Sequence, residues 1–263
     1  MEEIRLNKYL GERGICSRRE ADRLIEAGKV LVDGVPASMG MKVHPDQVIL
    51  CAGKPVGATA TQKPVLLMVN KPRGIVCTTS EKDRAVNIVD FLNYPTRIYP
   101  MGRLDKDSEG LLLMTNQGDL VNRMMRAGNA HEKEYVVTVD KPLTAAFLKA
   151  MEEGIPILET VTRPCVITAT GKQEFRIVLT QGMNRQIRRM CEYLGYRVRT
   201  LKRERIMNLC LGSLKTGDYR EVTLEEYQDL LKHLGDSKNI SSETDGFDRS
   251  GVILHEESQH GNR

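Results

Sequence analysis

Residues 102–116, GRLDKDSEGLLLMTN, join a charged turn to an apolar strand. Asp105 stands between Arg103 and Lys106, and the apolar run at residues 111–114 can anchor the turn that carries it. Cations beside a carboxylate favour its ionised form, and they also attract a phosphate backbone. An enzyme that attacks a nucleotide with a carboxylate needs both.

The 263 residues allow two domains and a sizeable core. A formal charge of +4 is only mildly basic, so local clustering rather than total charge must identify the partner. The start, MEEIRLNKYL, has acidic residues first and no long apolar core, which excludes a secretory or organelle leader. No apolar run approaches the roughly 18 residues of a membrane span, so the reading is a cytoplasmic protein with no membrane partner. The six cysteines are scattered, without a CxxC pair or a histidine at ligand spacing, and read as reduced core thiols. The five histidines suggest no catalytic group, and no metal site is expected.

Residues 4–10 carry apolar side chains at helical spacing and predict a short helix ending at Gly11 or Gly14. Ser17-Arg18-Arg19-Glu20 has the form of a capping box, and Gly28 stops the helix that follows it. Residues 30–35, VLVDGV, place Asp-Gly between β-branched residues and predict a hairpin. Arg18, Arg19 and Arg23 can share one exposed side of the second helix, and charge alone favours a solvated face there over an RNA contact.

Residues 56–63 read as a linker, and strands are predicted over 65–69, 75–78, 135–139, 165–169 and 175–179. Helices are predicted over 86–92, 120–125, 145–152, 186–194 and 225–234. Strands follow one another in pairs, which favours an α+β domain with a largely antiparallel mixed sheet over a strict βαβ fold. The division expected is 1–55, 64–235 and a polar, disordered tail over 236–263.

Three more segments carry candidate chemistry. Asn70-Lys71-Pro72-Arg73-Gly74 ends a strand in a basic turn. Tyr135 starts an alternating strand and could face either way. Residues 181–190, QGMNRQIRRM, open a helix from whose first turns Arg185, Arg188 and Arg189 emerge. Between residues 185 and 205 eight cations face two acidic residues, and cations at a helix start are disfavoured by the macrodipole, so an anionic partner makes better sense of them than solvation.

The run RLNKYLGERGICSRREADRLIEAGKVLVDGVPA resembles the S4 RNA-binding domain. The ordered set NKPRG, GRLDKDSEGLLLMTN, KEYVV and GMNRQIRRM resembles the RsuA-type pseudouridine synthases over residues 63–234. That resemblance implies an isomerase that detaches a uracil base, rotates it and rejoins it through carbon, with no cofactor. It implies Asp105 as the nucleophile, or as the group that assists base loss, Tyr135 stacked on the extruded base, and Arg188 paired with the aspartate. Arg103, Leu104, Lys106, Arg185, Gln186, Lys71 and Arg73 are then RNA contacts, joined by Arg18, Arg19 and Arg23 of the S4 domain. The wording around GMNRQIRRMCEYLGY sits nearer the large-subunit branch than the small-subunit branch, which tends to have histidine where Arg185 stands. The implied partner is therefore 23S rRNA, with a tRNA anticodon arm as a second substrate, acted on by a monomer. Two other readings stay open, the same chemistry on another uridine such as one in 16S rRNA, and a non-catalytic ribosome-assembly factor. An enzyme of free nucleotides fits poorly, because no phosphate-cradling glycine loop is present.

Overall fold

The computed structural model describes residues 3–57, 63–78, 85–125 and 131–235. The tail expected over 236–263 lies outside them, as does most of the expected linker. The chain divides into two compact units, Met1–Pro64 with Tyr94–Arg97 and Asn116–Gly118, and the remainder. Among the described residues no helix is long and apolar enough to cross a membrane.

The first unit opens with β1 (Ile4–Arg5), α1 (Leu6–Glu12) and α2 (Arg18–Glu26). The helix predicted from residue 4 begins two residues later, because Ile4 and Arg5 pair with Val43 and Lys42 of β4 (Lys42–Val43). Ser17 caps α2, its Oγ accepting from Glu20 N–H at 3.1 Å, while the Glu20 carboxylate accepts from Arg23 rather than closing the box. β2 (Val30–Val32) turns into β3 (Val35–Pro36) through Asp33 and Gly34, whose φ values of 48° and 81° make the predicted two-residue hairpin turn. β5 (Ile49–Cys51) and β6 (Lys54–Pro55) complete a four-stranded sheet. Leu6, Leu10, Ala21, Ile25, Val30 and Ile49 are buried beneath it.

The second unit runs β7 (Leu66–Lys71), α3 (Ile88–Leu92), β8 (Tyr99–Met101), β9 (Glu109–Thr115), α4 (Gly118–Met125) and β10 (Lys133–Val139). It continues with α5 (Ala145–Glu153), β11 (Pro156–Ile157), β12 (Thr160–Val161), β13 (Val166–Gly171), β14 (Glu174–Leu179) and α6 (Gln186–Tyr193). β15 (Val198–Ile206), β16 (Leu209–Cys210), β17 (Tyr219–Glu221) and α7 (Leu224–His233) close it. One mixed sheet has the order β13-β14-β10-β15-β9-β7-β17, with β16 on β15 and β8 on β9. Every pair is antiparallel except β15 with β9. The α+β class with a mixed sheet flanked by helices is therefore the one the strand pattern indicates.

One strand expectation is corrected, and one strand had no expectation. Residues 75–78 form no strand; Val76 makes one isolated bridge to Asn87, because Gly74 turns the chain with φ 90° and spends its N–H on the Lys106 carbonyl. β15, by contrast, is a nine-residue central strand that its arginines conceal. Its Arg205 pairs with Glu132 at 3.0 Å and with Glu134 of the neighbouring β10 at 2.8 Å, and Lys202 pairs with Glu204 of its own strand at 3.5 Å, so these strand charges are neutralised locally. The thiols also divide: Cys51, Cys165 and Cys191 are buried, whereas Cys210 is exposed and Cys16 and Cys77 are half-buried.

Candidate active site

The loop between β8 and β9 carries Asp105, and the sheet holds that loop from beneath. Ser108 N–H donates to the Asp105 carbonyl at 3.0 Å, which closes a tight turn around residues 105–108. Ser108 is 1% exposed and accepts at two further atoms. Lys71 Nζ donates to its carbonyl at 2.8 Å and to that of Pro72 at 2.9 Å, and Arg188 Nη2 donates to its hydroxyl at 3.2 Å. Gly74 N–H reaches the Lys106 carbonyl at 2.8 Å, and Leu104 N–H reaches Cys77 Sγ at 3.4 Å. Every side of the turn except the one bearing the Asp105 carboxylate is thus tied down.

That carboxylate faces two guanidinium groups. Arg185 Nη1 lies 3.8 Å and Arg188 Nε 3.9 Å from Asp105 Oδ2, and the aspartate side chain is about one-third exposed. Arg185 is exposed and takes the left-handed conformation at the start of α6, φ 51°, which brings its side chain back toward the loop. Arg188 is buried, its Nη2 bonded to the Asp107 carbonyl at 3.0 Å as well as to Ser108, while its Nε has no hydrogen-bond partner. Burial pushes the Arg188 pKa down, the neighbouring Arg185 adds to that, and Asp105 and Asp107 oppose it. A guanidinium stays charged even so. The result is a half-open carboxylate with one buried, hydrogen-bonded cation and one exposed cation beside it.

A row across the sheet links this loop to Tyr135. Lys71 of β7 pairs with Gly110 of β9, Gly110 with Arg203 of β15, and Arg203 with Tyr135 of β10. Gly110 has φ 101°, and a Cβ there would collide with the Arg203 backbone, so only glycine lets β9 and β15 approach this closely. Tyr135 is 9% exposed, with the Arg203 guanidinium carbon 6.0 Å from its ring centroid. The sequence left its facing open; it faces inward.

Several residues expected to touch RNA do not face solvent. Lys71 is fully buried, and burial pushes its pKa down against the pull of Cys77 and three nearby carboxylates. Its role here is to brace the turn. Leu104 is buried at 6% exposed, and Gln186, 4% exposed, accepts from Met183 N–H at 3.1 Å and reaches Met190 Sδ. The eight-cation cluster is also mostly spent internally: Arg188 and Arg203 are buried, Arg189 bonds Asn184, and Lys202 and Arg205 are ion-paired. Arg73, Arg103, Lys106 and Arg185 remain exposed around the carboxylate's loop and its partner helix, and Arg18, Arg19 and Arg23 are exposed on α2. Sequence reasoning missed Ser108, Cys77 and Arg203. A serine between two acidic residues and an arginine in a basic run give no sign of burial.

Among the described residues no three His, Cys, Asp or Glu side chains group as metal ligands. A negative group on a substrate would meet Arg185 and Arg188, and an electrophilic sugar carbon would meet Asp105.

Residues 65–193 match the RNA pseudouridylate synthase family, and residues 4–49 match the S4 domain. The dual-specificity RNA pseudouridine synthase RluF of Escherichia coli (strain K12) is 48% identical, covering 99% of this chain and 92% of that one. The ribosomal large subunit pseudouridine synthase B of Bacillus subtilis (strain 168) is 38% identical over 89% of this chain and 98% of its own. A crystal structure of a pseudouridylate synthase superposes with a TM-score of 0.62 at 28% identity, covering 88% of this chain and 99% of that one.

Proposed function

The chain belongs to the RNA pseudouridylate synthase family, with an S4 domain ahead of the synthase, and from that premise we propose that it converts one uridine of folded 23S rRNA to pseudouridine. A tRNA anticodon-arm uridine is its second substrate. The large-subunit choice draws on the name of the Bacillus subtilis relative, and the second substrate on the dual specificity named for the Escherichia coli relative. The enzyme works as a monomer in the cytoplasm.

Asp105 acts on the sugar carbon of the target nucleotide, either by bonding to it or by assisting departure of the base. Tyr135 stacks on the extruded uracil. Arg188 orients the carboxylate from below, and Arg185, Arg103, Lys106 and Arg73 neutralise RNA phosphates around the loop. Extruding a uridine costs a few kcal/mol, which these backbone contacts and the S4 helix bearing Arg18, Arg19 and Arg23 help offset. The observation that carries this reading is the Asp105 carboxylate held on an immobilised turn, 3.8 and 3.9 Å from two guanidinium groups.

Chemical mapping of pseudouridine in 23S rRNA, 16S rRNA and tRNA, from cells with and without the chain, tests it. One 23S site and one tRNA site should disappear on deletion. Loss of a 16S site alone would refute the target, and no change in any RNA would refute the function.

A further inference from the structure

We propose that Arg203 is a positioning residue for the isomerisation: it holds Tyr135 from the inner face of its ring and keeps an unneutralised positive charge behind that ring, offsetting the negative charge on the departing uracil. The proposal rests on the synthase reading above and deepens it.

Arg203 is 3% exposed in a central strand. Its Nε donates to the Leu111 carbonyl at 2.7 Å, which fixes the guanidinium plane against β9. Its Nη2 is buried with no hydrogen-bond partner, and no carboxylate among the described residues lies within ion-pair distance of it. A buried cation without a counter-ion is destabilising, so a fold that keeps one keeps it against local preference. The neighbouring arginine of β15, Arg205, is paired with two glutamates, so acidic partners are at hand in this part of the sheet. None is supplied to Arg203.

Lys133 is the nearest alternative carrier of that charge, two residues before Tyr135 on the same face of β10. Its Nζ donates to the His131 carbonyl at 3.0 Å, and both burial and Arg203 push its pKa down. A guanidinium holds its proton more firmly than an ammonium does. The fixed positive charge therefore stays on Arg203, against the face of Tyr135.

The reaction needs charge balance at that place. The C1'–N1 bond breaks with its electron pair leaving on the base, which carries one negative charge until C5 bonds to C1'. C5 then gives up its proton and N1 gains one, leaving neutral pseudouridine. With the base stacked on the ring face opposite Arg203, the guanidinium would lie roughly 10 Å from it, where a charge behind a desolvated ring is worth on the order of tenfold in rate.

Single-turnover rates of Arg203→Gln and Arg203→Lys, on target RNA bearing uridine or 5-fluorouridine at the reacting position, test this. The fluorinated base leaves more readily because fluorine already disperses its negative charge. Loss of the N-glycosidic nucleoside is followed in each case. Arg203→Gln should lose about tenfold in rate on uridine with KM for RNA little changed, should lose much less on 5-fluorouridine, and Arg203→Lys should recover most of the uridine rate. Equal losses on the two substrates, a loss confined to KM, or a lysine variant no better than glutamine would each overturn the role of Arg203. The rate ratio between substrates is measured within one protein sample, so a lowered folded fraction does not alter it. No turnover of uridine RNA by the unmodified enzyme would instead sink the synthase reading itself.

Discussion

Arg188 and Ser108 are joined by a buried hydrogen bond, Nη2 to Oγ at 3.2 Å, and that bond directs the arginine's unpartnered Nε toward Asp105 at 3.9 Å. The serine is the point where three braces meet, since its backbone also accepts from Lys71 and donates to Asp105.

Replacing Ser108 with alanine removes the hydroxyl and leaves the backbone braces in place. Stability should fall by about 2 kcal/mol, read from urea denaturation, because one buried hydrogen bond to a charged group is lost. The rate constant should fall by roughly tenfold or more with little change in RNA affinity, because the arginine is no longer aimed. A variant that binds RNA poorly but turns over normally would contradict the positioning role.

Gly110 tests the packing that brings β9 against β15. Alanine there must adopt φ near 101° and place its Cβ in the backbone of Arg203. Overpacking and backbone strain together should destabilise the protein by roughly 3 kcal/mol, visible as a lowered denaturation midpoint. An alanine variant of normal stability would show that the two strands can separate without consequence.

Much of this architecture is legible from the sequence because its signals are local. The Ser17 cap, the Asp33-Gly34 turn and the apolar run of β9 each state their own geometry within a few residues. The position of Asp105 follows from the motif around it. What is not legible depends on distant partners. Lys71 looks like a surface cation in NKPRG, and only the Ser108 and Pro72 carbonyls waiting beneath it account for its burial. β15 has the composition of an exposed basic segment, yet Glu132, Glu134 and the Leu111 carbonyl, all remote in sequence, absorb Arg205 and Arg203. The sequence reading of one continuous basic surface therefore overcounts the cations free to meet RNA.

The charge ladder on β10 predicts an acid dependence of stability. A hydrogen bond from Arg205 is the largest influence on the Glu134 carboxyl; burial opposes it, a hydrogen bond from Arg176 reinforces it, and the carboxyl is held below its ordinary value of 4.5. A depressed carboxyl stabilises the fold above its unfolded pKa, and that contribution is lost as pH falls through the folded value. Glu134→Gln should therefore melt below the unmodified protein at neutral pH, and the gap should narrow as pH falls below 4.5 and through the depressed folded value. A gap constant across that window, followed by thermal melts, would mean the carboxylate's charge is not what matters.

The most direct test of the central claim is Asp105→Asn, assayed for pseudouridine formation on 23S rRNA transcripts beside a binding measurement. The substitution keeps the side chain's size and leaves the braces from Lys71, Gly74 and Arg188 intact, since none of them uses the carboxylate as a hydrogen-bond acceptor. The variant should fold, bind RNA within a few-fold of the unmodified enzyme and form pseudouridine at least roughly 10⁴-fold more slowly. Turnover within tenfold of the unmodified rate would contradict the assignment of Asp105 as the reacting carboxylate.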